Sequence, residues 1–504
     1  MKIRIKAAAA VAVVAALAMG TVTSTASQAA GSTLTLGTFA DITSFAVSKA
    51  EFGNRVLAYQ AVYDTLLRQT TAGKLVPGLA TAWKYNTSQT KLTLTLRSGV
   101  KFSNGHAFTP SVVIKNLKNF KAGTAPAASY LANYKSAVVK GTNQVVITLS
   151  DVDPAFLDYL ARESGLMEDP AMFGKSNEAT TPVGTGPYVL NKLKTRIGST
   201  YVFNSNPTYW DKANRRYDNF TLKYISDPTA GVNALKAGQI QGYNLISNDP
   251  LPELRRVSGM KFASQTNDWV GLSFVDRSGD LNSPIRKLKV RQAMNYAFNR
   301  TAMLNAIGQG YGTVVQQVFS PKSAGYNKAL NSTYPYNPTK ARQLLSEAGY
   351  PDGFTLKMPA VSAVLGEATY AIIESQLAAV GITVDREEVA LGNFFGDILT
   401  PKYPSYLMFL EQSPNDWQFI NFLLSDTAVW NPEHFSDSTS AKLIGRIQSA
   451  TAAGRPALLK QLNKYVVDQA WFSPWFVKQG NFAYKGIKVT PQKGNAVPYL
   501  YNIK

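Results

Sequence analysis

The sequence predicts an α/β protein with mixed sheets, and local patterns of three kinds support this. Apolar and polar residues alternate over 92–96, as in a strand with one solvent-facing side. A β-branched run over 145–149 follows turn-like residues at 141–143. Helical patterns with clear ends lie between such segments. Because strand and helix patterns alternate throughout the chain, the α/β class is favoured.

Three helices are predicted from apolar residues at helical spacing. In the best-defined one, Asn337 is the predicted N-cap, Pro338 lies in the first turn and Gly349 ends the helix. The apolar faces of the three helices are Ala341, Leu344, Leu345 and Ala348; Ile372, Ile373, Leu377 and Val380; and Val290, Ala293, Met294, Ala297 and Phe298.

The N-terminal region has the pattern of an export signal. Lys2, Arg4 and Lys6 precede an uncharged apolar stretch of about 14 residues, shorter than the roughly 20 that a membrane-spanning helix needs. Cleavage is predicted after Ala29, so that 1–29 is a signal peptide. A membrane anchor is the alternative. Because the chain has no cysteine to acylate, we expect no lipoprotein but a soluble exported protein, periplasmic or extracellular.

Composition narrows the classes of function. The formal charge is +20, or about +17 without the signal, but lysines and arginines are scattered, so no nucleic-acid partner is expected. The only histidines, His106 and His434, cannot form a multi-histidine metal cage. Neither a metal nor a cofactor is predicted. No Gly-x-Ser-x-Gly motif is present, and a secreted hydrolase would need paired carboxylates among the 32 acidic residues.

Several motifs occur in an order typical of one known family. They lie at 62–67, 74–83, 92–110, 182–188, 206–210, 217–219, 290–293, 299–300 and 336–350. Together they resemble the extracytoplasmic solute-binding proteins of ABC importers, family 5, in the branch that binds oligopeptides, dipeptides and nickel. The resemblance covers nearly the whole chain after the signal.

The resemblance implies a two-lobe periplasmic-binding-protein fold of type II, peptide-binding class, with a hinge and an additional inserted domain. The implied limits are 30–66, 182–268 and 481–504 for lobe I, 67–181 for the inserted domain beside it, and 269–480 for lobe II. Solute would be enclosed between the lobes, which close around it.

The resemblance also implies a function without catalysis. We expect the substrate-binding component of an ABC importer, a monomer that captures a small solute and delivers it to a membrane permease. An oligopeptide is the first choice of ligand. An oligosaccharide, an opine or a metal chelate is the alternative, as is a peptide-binding chaperone or chemosensor that does not transport.

Candidate ligand-binding residues follow from the same resemblance. In peptide-binding relatives a Gly-Trp-x-x-Asp-like segment of lobe II binds the α-ammonium group, and the corresponding stretch here is 407–417. It places Phe409 at the tryptophan and Gln412 at the aspartate. Glu411 or Asp416 could supply the missing charge, or both could be ordinary surface acids. Aromatic walls are predicted at Trp269, Trp417 and Phe45, for each of which a core position is the alternative.

Overall fold

A computed structural model describes residues 32–411, 415–495 and 497–504, so the predicted signal peptide lies outside the described residues. The strands of the described part are β1 (Thr33–Thr38), β2 (Leu67–Gln69), β3 (Leu75–Pro77), β4 (Ala80–Tyr85), β5 (Lys91–Leu96), β6 (Tyr134–Lys140), β7 (Gln144–Leu149), β8 (Tyr188–Leu190), β9 (Thr200–Ser205), β10 (Asn219–Tyr224), β11 (Gly242–Leu245), β12 (Lys261–Phe274), β13 (Gly312–Val314), β14 (Phe354–Ala360), β15 (Ile382–Glu388), β16 (Ser405–Glu411) and β17 (Phe472–Tyr484). Its α-helices are α1 (Val56–Val62), α2 (Pro110–Ala122), α3 (Phe156–Tyr159), α4 (Pro228–Lys236), α5 (Leu251–Leu254), α6 (Leu288–Ala297), α7 (Arg300–Gly308), α8 (Pro338–Glu347), α9 (Ser362–Leu365), α10 (Glu367–Ala378), α11 (Leu391–Ile398), α12 (Asp416–Leu423), α13 (Ser438–Ser449) and α14 (Arg455–Asp468).

The predicted α/β class and the local elements behind it are confirmed. The three predicted helices are α6, α8 and α10, and the two predicted strands are β5 and β7. At the start of α8, the Asn337 side chain accepts a hydrogen bond from the Lys340 amide at 2.9 Å, as an N-cap does. Gly349 follows the helix with a φ of +88°, a conformation that favours glycine.

One nine-stranded mixed sheet runs through both predicted lobes. Its order is β16-β12-β17-β11-β1-β10-β9-β8, with β13 added beside β17. Strand β1 is parallel to β10 and β11, whereas β12, β16 and β17 pair antiparallel. The strands β8 to β11 and β1 lie in the predicted lobe I, and β13 and β16 lie in the predicted lobe II. The sheet is therefore shared by the two lobes.

Two long strands carry the chain between the lobes. Strand β12 has 14 residues and β17 has 13, and they pair over most of their length. Asp268 lies opposite Lys478, and Gln265 lies opposite Gly480, with a β-bulge between Thr266 and Asp268. The predicted lobe boundaries fall within this paired segment. The domain limits themselves stay predictions.

A second irregularity of the crossing strands depends on a glycine. The register of β12 against β17 shifts again between Val270 and Gly271. A Cβ atom at Gly271 would lie 2.2 Å from the carbonyl oxygen of Ser473, far inside van der Waals contact. Only glycine allows the two backbones to approach this closely.

The remaining sheets are small and have helices against them. In the predicted inserted domain, β4-β5-β7-β6 form an antiparallel sheet, and α2 contacts β6 and β7. The predicted alternation places Leu92 and Leu94 of β5 in the core at 0% exposure. In the predicted lobe II, β14 and β15 form a parallel pair. Among the described helices, none is long and apolar enough to span a membrane.

Candidate functional site

A cavity of about 340 Å³ opens where the two predicted lobes face each other across the crossing strands. We call it the cleft cavity. From the predicted lobe I it is lined by Phe39, Gly53, Asn54, Asn244, Leu245, Ile246, Asn248 and Asp268, and from the predicted lobe II by Phe409, Lys478, Gln479 and Gly480. Its size lies within the range of small-molecule sites, and its wall combines apolar surface with a few polar groups.

Two opposite charges line the cleft cavity without neutralising each other directly. Asp268 and Lys478 are paired residues of β12 and β17, yet their side chains do not form an ion pair with each other. Burial raises the pKa of Asp268, and the positive charge of Lys478 opposes that rise. The Lys478 Nζ lies 5.7 Å from the centre of the Phe409 ring. The cavity therefore offers a carboxylate and an ammonium group to one ligand.

Side-chain amides form the lobe I wall of this cavity. The Asn54 Oδ1 accepts a hydrogen bond from the Asn244 Nδ2 at 3.2 Å. The Asn248 Nδ2 donates to the Gln479 carbonyl at 3.1 Å, and its Oδ1 accepts from Asn481 at 2.9 Å. The Asn248–Gln479 bond crosses the junction of the predicted lobes, and the other two bonds hold the amides in place within the predicted lobe I. Each amide keeps further donor or acceptor capacity for a ligand.

Part of the predicted anchor segment borders the cleft cavity. Phe409, on β16, lines the cleft cavity. Glu411 is the last residue of β16, and its backbone lies opposite Asp268. Gln412, the residue placed at the family's aspartate, lies outside the described residues. Their contact with a ligand stays a prediction.

Two more members of the predicted segment lie beyond the cleft cavity. The Asp416 Oδ2 accepts a hydrogen bond from the Ala324 amide at 3.0 Å. Burial raises the pKa of Asp416, and a hydrogen bond from Ser323 opposes the rise. This carboxylate is engaged within lobe II and is not in the wall of the cleft cavity. Trp417 is 4% exposed and lines a second cavity, of about 470 Å³, between the inserted domain and lobe II.

The other two predicted aromatic walls occupy core positions. Trp269 is 0% exposed and Phe45 is 1% exposed. The Trp269 ring packs edge-on against Phe472 at 5.6 Å, and Phe45 packs edge-on against Tyr201 at 6.1 Å. Neither lines the cleft cavity. In this conformation both residues take the core position that the sequence left open as the alternative.

The charged pair of the cleft cavity was missed by the reasoning from sequence. Asp268 stands beside Trp269, and neighbouring residues of a strand point to opposite faces of a sheet. A core position for Trp269 therefore implies that Asp268 faces the other side. For Lys478, the available signal was the change from apolar to polar residues along 475–481.

Metal-ligating side chains are not grouped in the described part of the chain. No set of three or more His, Asp or Glu residues there is close enough to hold a metal ion. The described residues of the cleft cavity instead offer amides, one carboxylate and one ammonium group, which suit an organic ligand with several polar groups.

Comparisons with known proteins point to one family. The family model described as bacterial extracellular solute-binding proteins, family 5 Middle, matches residues 74–431. Heme-binding protein A of Haemophilus influenzae is 30% identical over 330 residues, a match that spans 58% of this chain and 58% of that relative. Glutathione-binding protein GsiB of Escherichia coli K12 is 26% identical over 447 residues, 82% of each chain.

A solved structure shows the same fold. The periplasmic binding protein DppA of Helicobacter pylori, associated with an ABC transporter and in complex with the peptide STSA, is 20% identical. Its TM-score is 0.77, and the match covers 94% of this chain and 97% of that one.

Proposed function

The chain belongs to the bacterial extracellular solute-binding proteins, family 5, and from this premise we propose that it is the substrate-binding component of an ABC importer for short peptides. Members of the family are solute-binding proteins, so the chain binds its ligand and does not transform it. The ligand is enclosed in the cleft cavity between the lobes.

One observation carries the choice of a peptide: Asp268 and Lys478 line the same cavity and form no ion pair with each other. A short peptide is a zwitterion, so its ammonium group suits Asp268 and its carboxylate suits Lys478. Since burial raises the pKa of Asp268, a cationic partner also relieves the cost of holding this carboxylate charged. Peptide ligands are in keeping with the names of two relatives, which bind glutathione and the peptide STSA.

The proposal moves the predicted anchor from Gln412 to Asp268. Gln412 carries a donor and an acceptor but no charge, so it serves an ammonium group less well than a carboxylate does. Phe409 and the amides of Asn244 and Asn248 would contact the rest of the peptide. The volume of about 340 Å³ is near the lower end of the range for ligand pockets, which favours peptides of a few residues.

Calorimetry with free and N-acetylated forms of the same di-, tri- and tetrapeptides tests this function. Blocking the amine removes one partner of the charge pair, so we expect a loss on the order of 2–5 kcal/mol. Asp268→Asn should cause a similar loss for the free peptides. Asp416→Asn is the matched control and should leave affinity unchanged, because Asp416 is not in the wall of the cleft cavity.

The opposite results identify another anchor. If free and N-acetylated peptides bind equally, an ammonium site does not exist and Gln412 becomes the better candidate. If Asp416→Asn weakens binding while Asp268→Asn does not, the anchor lies at the start of α12. If no peptide binds, the native mass spectrum of the co-purified ligand will show whether an oligosaccharide, an opine or a metal chelate takes its place.

We also propose that the chain is exported, loses residues 1–29, carries no lipid and delivers its ligand as a monomer to a membrane permease. The signal-like pattern of 1–29 and the absence of cysteine support this. N-terminal sequencing of exported protein should begin near Ala30. A retained apolar segment 7–20 would contradict the proposal.

A further inference from the structure

The second cavity, which we call the outer cavity, lies between the predicted inserted domain and lobe II. Its volume is about 470 Å³. The inserted domain contributes Tyr130, Asn133, Asp153 and Tyr159 to its wall, and lobe II contributes Trp417, Gln418, Phe422 and Asp426. None of these residues lines the cleft cavity. The outer cavity is thus a separate space with its own chemistry.

The charge of the outer cavity is opposite to that of the whole chain. Its wall carries two carboxylates, Asp153 and Asp426, and among the described residues that line it there is no lysine or arginine. The chain as a whole has a formal charge of +20. An acidic cavity in a basic protein attracts cations and disfavours anions.

Aromatic rings supply the apolar part of this wall. The rings of Tyr130 and Tyr159 stack with their centres 4.8 Å apart, and Trp417 and Phe422 lie on the lobe II side. The face of an aromatic ring attracts an ammonium or guanidinium group. Rings and carboxylates together therefore favour an organic cation over a bare metal ion, for which the described residues offer no ligand cluster.

An unpaired acceptor gives independent support for a ligand. Gln418 is 4% exposed, and its Oε1 has no hydrogen-bond partner among the described residues. A buried acceptor without a donor destabilises the folded protein. A ligand that brings N–H groups into the outer cavity would remove this cost.

Asp153 is a buried carboxylate without a positively charged partner in the described part of the chain, which suits a cationic ligand. It is 6% exposed, and it accepts hydrogen bonds from the Asn133 side chain at 3.2 Å and the Ala155 amide at 3.1 Å. The described residues provide it with no ion pair. Burial raises the pKa of Asp153 to about 6, against the lowering effect of these two hydrogen bonds. Its charge is held in place without a positive partner.

We propose that the outer cavity binds an organic cation that carries an ammonium or guanidinium group, at a site distinct from the cleft cavity. The cation is held between the carboxylates of Asp153 and Asp426 and the aromatic rings, and its N–H groups reach the Gln418 Oε1. Two sources have this chemistry: a free organic cation, and a basic side chain of a peptide whose backbone lies in the cleft cavity.

Calorimetry with benzamidine and benzamide tests the site. The two probes have nearly the same shape, but only benzamidine is charged at neutral pH. Because hydrogen bonds to charged groups are stronger than those between neutral groups, we expect benzamidine to bind at least about tenfold more tightly than benzamide. Asp153→Asn and Asp426→Asn should each reduce this preference. Asp426 is exposed, so the second variant keeps the fold if the first is unstable.

A variant of the other cavity separates this inference from the proposed function. Asp268→Asn should leave benzamidine binding unchanged even if peptide binding is lost. Equal binding of benzamidine and benzamide, or loss of benzamidine binding in Asp268→Asn alone, would overturn the outer site. If Asp153→Asn weakens lysine-containing peptides but not their norleucine analogues, the cation is a peptide side chain. If it weakens only free benzamidine, the site takes a separate cation.

Discussion

Glu168 should make the free energy of unfolding depend on pH. This residue is 0% exposed and lies in the predicted inserted domain, where its carboxyl group contacts residues of the predicted lobe I. Its Oε2 accepts a hydrogen bond from the Val47 amide at 3.0 Å, and its Oε1 accepts from the Tyr63 hydroxyl at 3.4 Å. Burial raises the pKa of Glu168 from 4.5 to about 8, although the Val47 hydrogen bond lowers it. At neutral pH the folded protein therefore keeps this carboxyl group protonated.

The sign and size of the effect follow from the difference between the pKa of Glu168 in the folded protein and its ordinary value. Between pH 4.5 and pH 8 the folded protein holds a proton that the unfolded chain has released, so the free energy of unfolding falls as pH rises. The contribution of Glu168 is fully present below pH 4.5 and is lost above about pH 8. At about 1.36 kcal/mol per pH unit, the total is on the order of 5 kcal/mol.

Urea unfolding of the wild type and of Glu168→Gln, from pH 5 to pH 9, measures this contribution. Glutamine keeps an acceptor but has no proton to lose. The stability of Glu168→Gln relative to the wild type should rise by about 1.36 kcal/mol per unit up to about pH 8 and then level. Glu253→Gln is the control, since its side chain is 60% exposed. If the free energies of unfolding of Glu168→Gln and the wild type differ by the same amount at every pH from 5 to 9, the reasoning is refuted.

Three further predictions concern the hinge, a helix end and closure. Gly271→Ala should lower the free energy of unfolding, measured with urea, by about 1–3 kcal/mol, because its Cβ atom would lie 2.2 Å from the Ser473 carbonyl oxygen. Gly445→Ala is the control and should be neutral or stabilising in the same urea assay, because a Cβ atom at this position in α13 meets nothing within 4 Å. Asn337→Ala should cost about 1 kcal/mol through loss of the α8 N-cap, and an unchanged urea midpoint would contradict this. A saturating short peptide should shrink the radius of gyration and add about 2.7 kcal/mol of stability at a hundredfold excess over Kd; identical scattering curves with and without peptide would argue against closure.

Local structure was predictable from the sequence because its causes are local. The N-cap at Asn337, the glycine at 349 and the apolar spacing between them are sufficient to define α8. The alternation over 92–96 likewise defines β5. In contrast, β1 pairs with β10 and β11 about 200 residues away. No periodicity encodes such a pairing, so the two-lobe arrangement came from family resemblance alone.

The candidate site was only partly predictable, for a physical reason. Resemblance indicated Phe409, which lines the cleft cavity, while its contact with a ligand stays a prediction. It did not indicate Asp268, because the family segment that guided the prediction lies on β16 and Asp268 lies on the neighbouring strand β12. The alternation of side chains along a strand contained that information, because a buried Trp269 places Asp268 on the opposite face of the sheet. The outer cavity joins residues more than 250 positions apart, such as Asp153 and Trp417, and sequence offers no sign of it.

The pairing of β12 with β17 over most of their length has a mechanical consequence. Lobes joined only by loops could rotate about single bonds. Lobes joined by a hydrogen-bonded ladder can rotate only if the ladder twists, and the ladder opposes this twist. A β-bulge interrupts a ladder and bends the strand locally, so the bulge between Thr266 and Asp268 is where we expect this ladder to twist most easily. Asp268 lies at this bulge, so a ligand that attracts its carboxylate acts close to the axis about which the lobes would rotate. Small displacements at the ligand would then appear as large movements at the lobe tips, and the open state would return elastically once the ligand leaves.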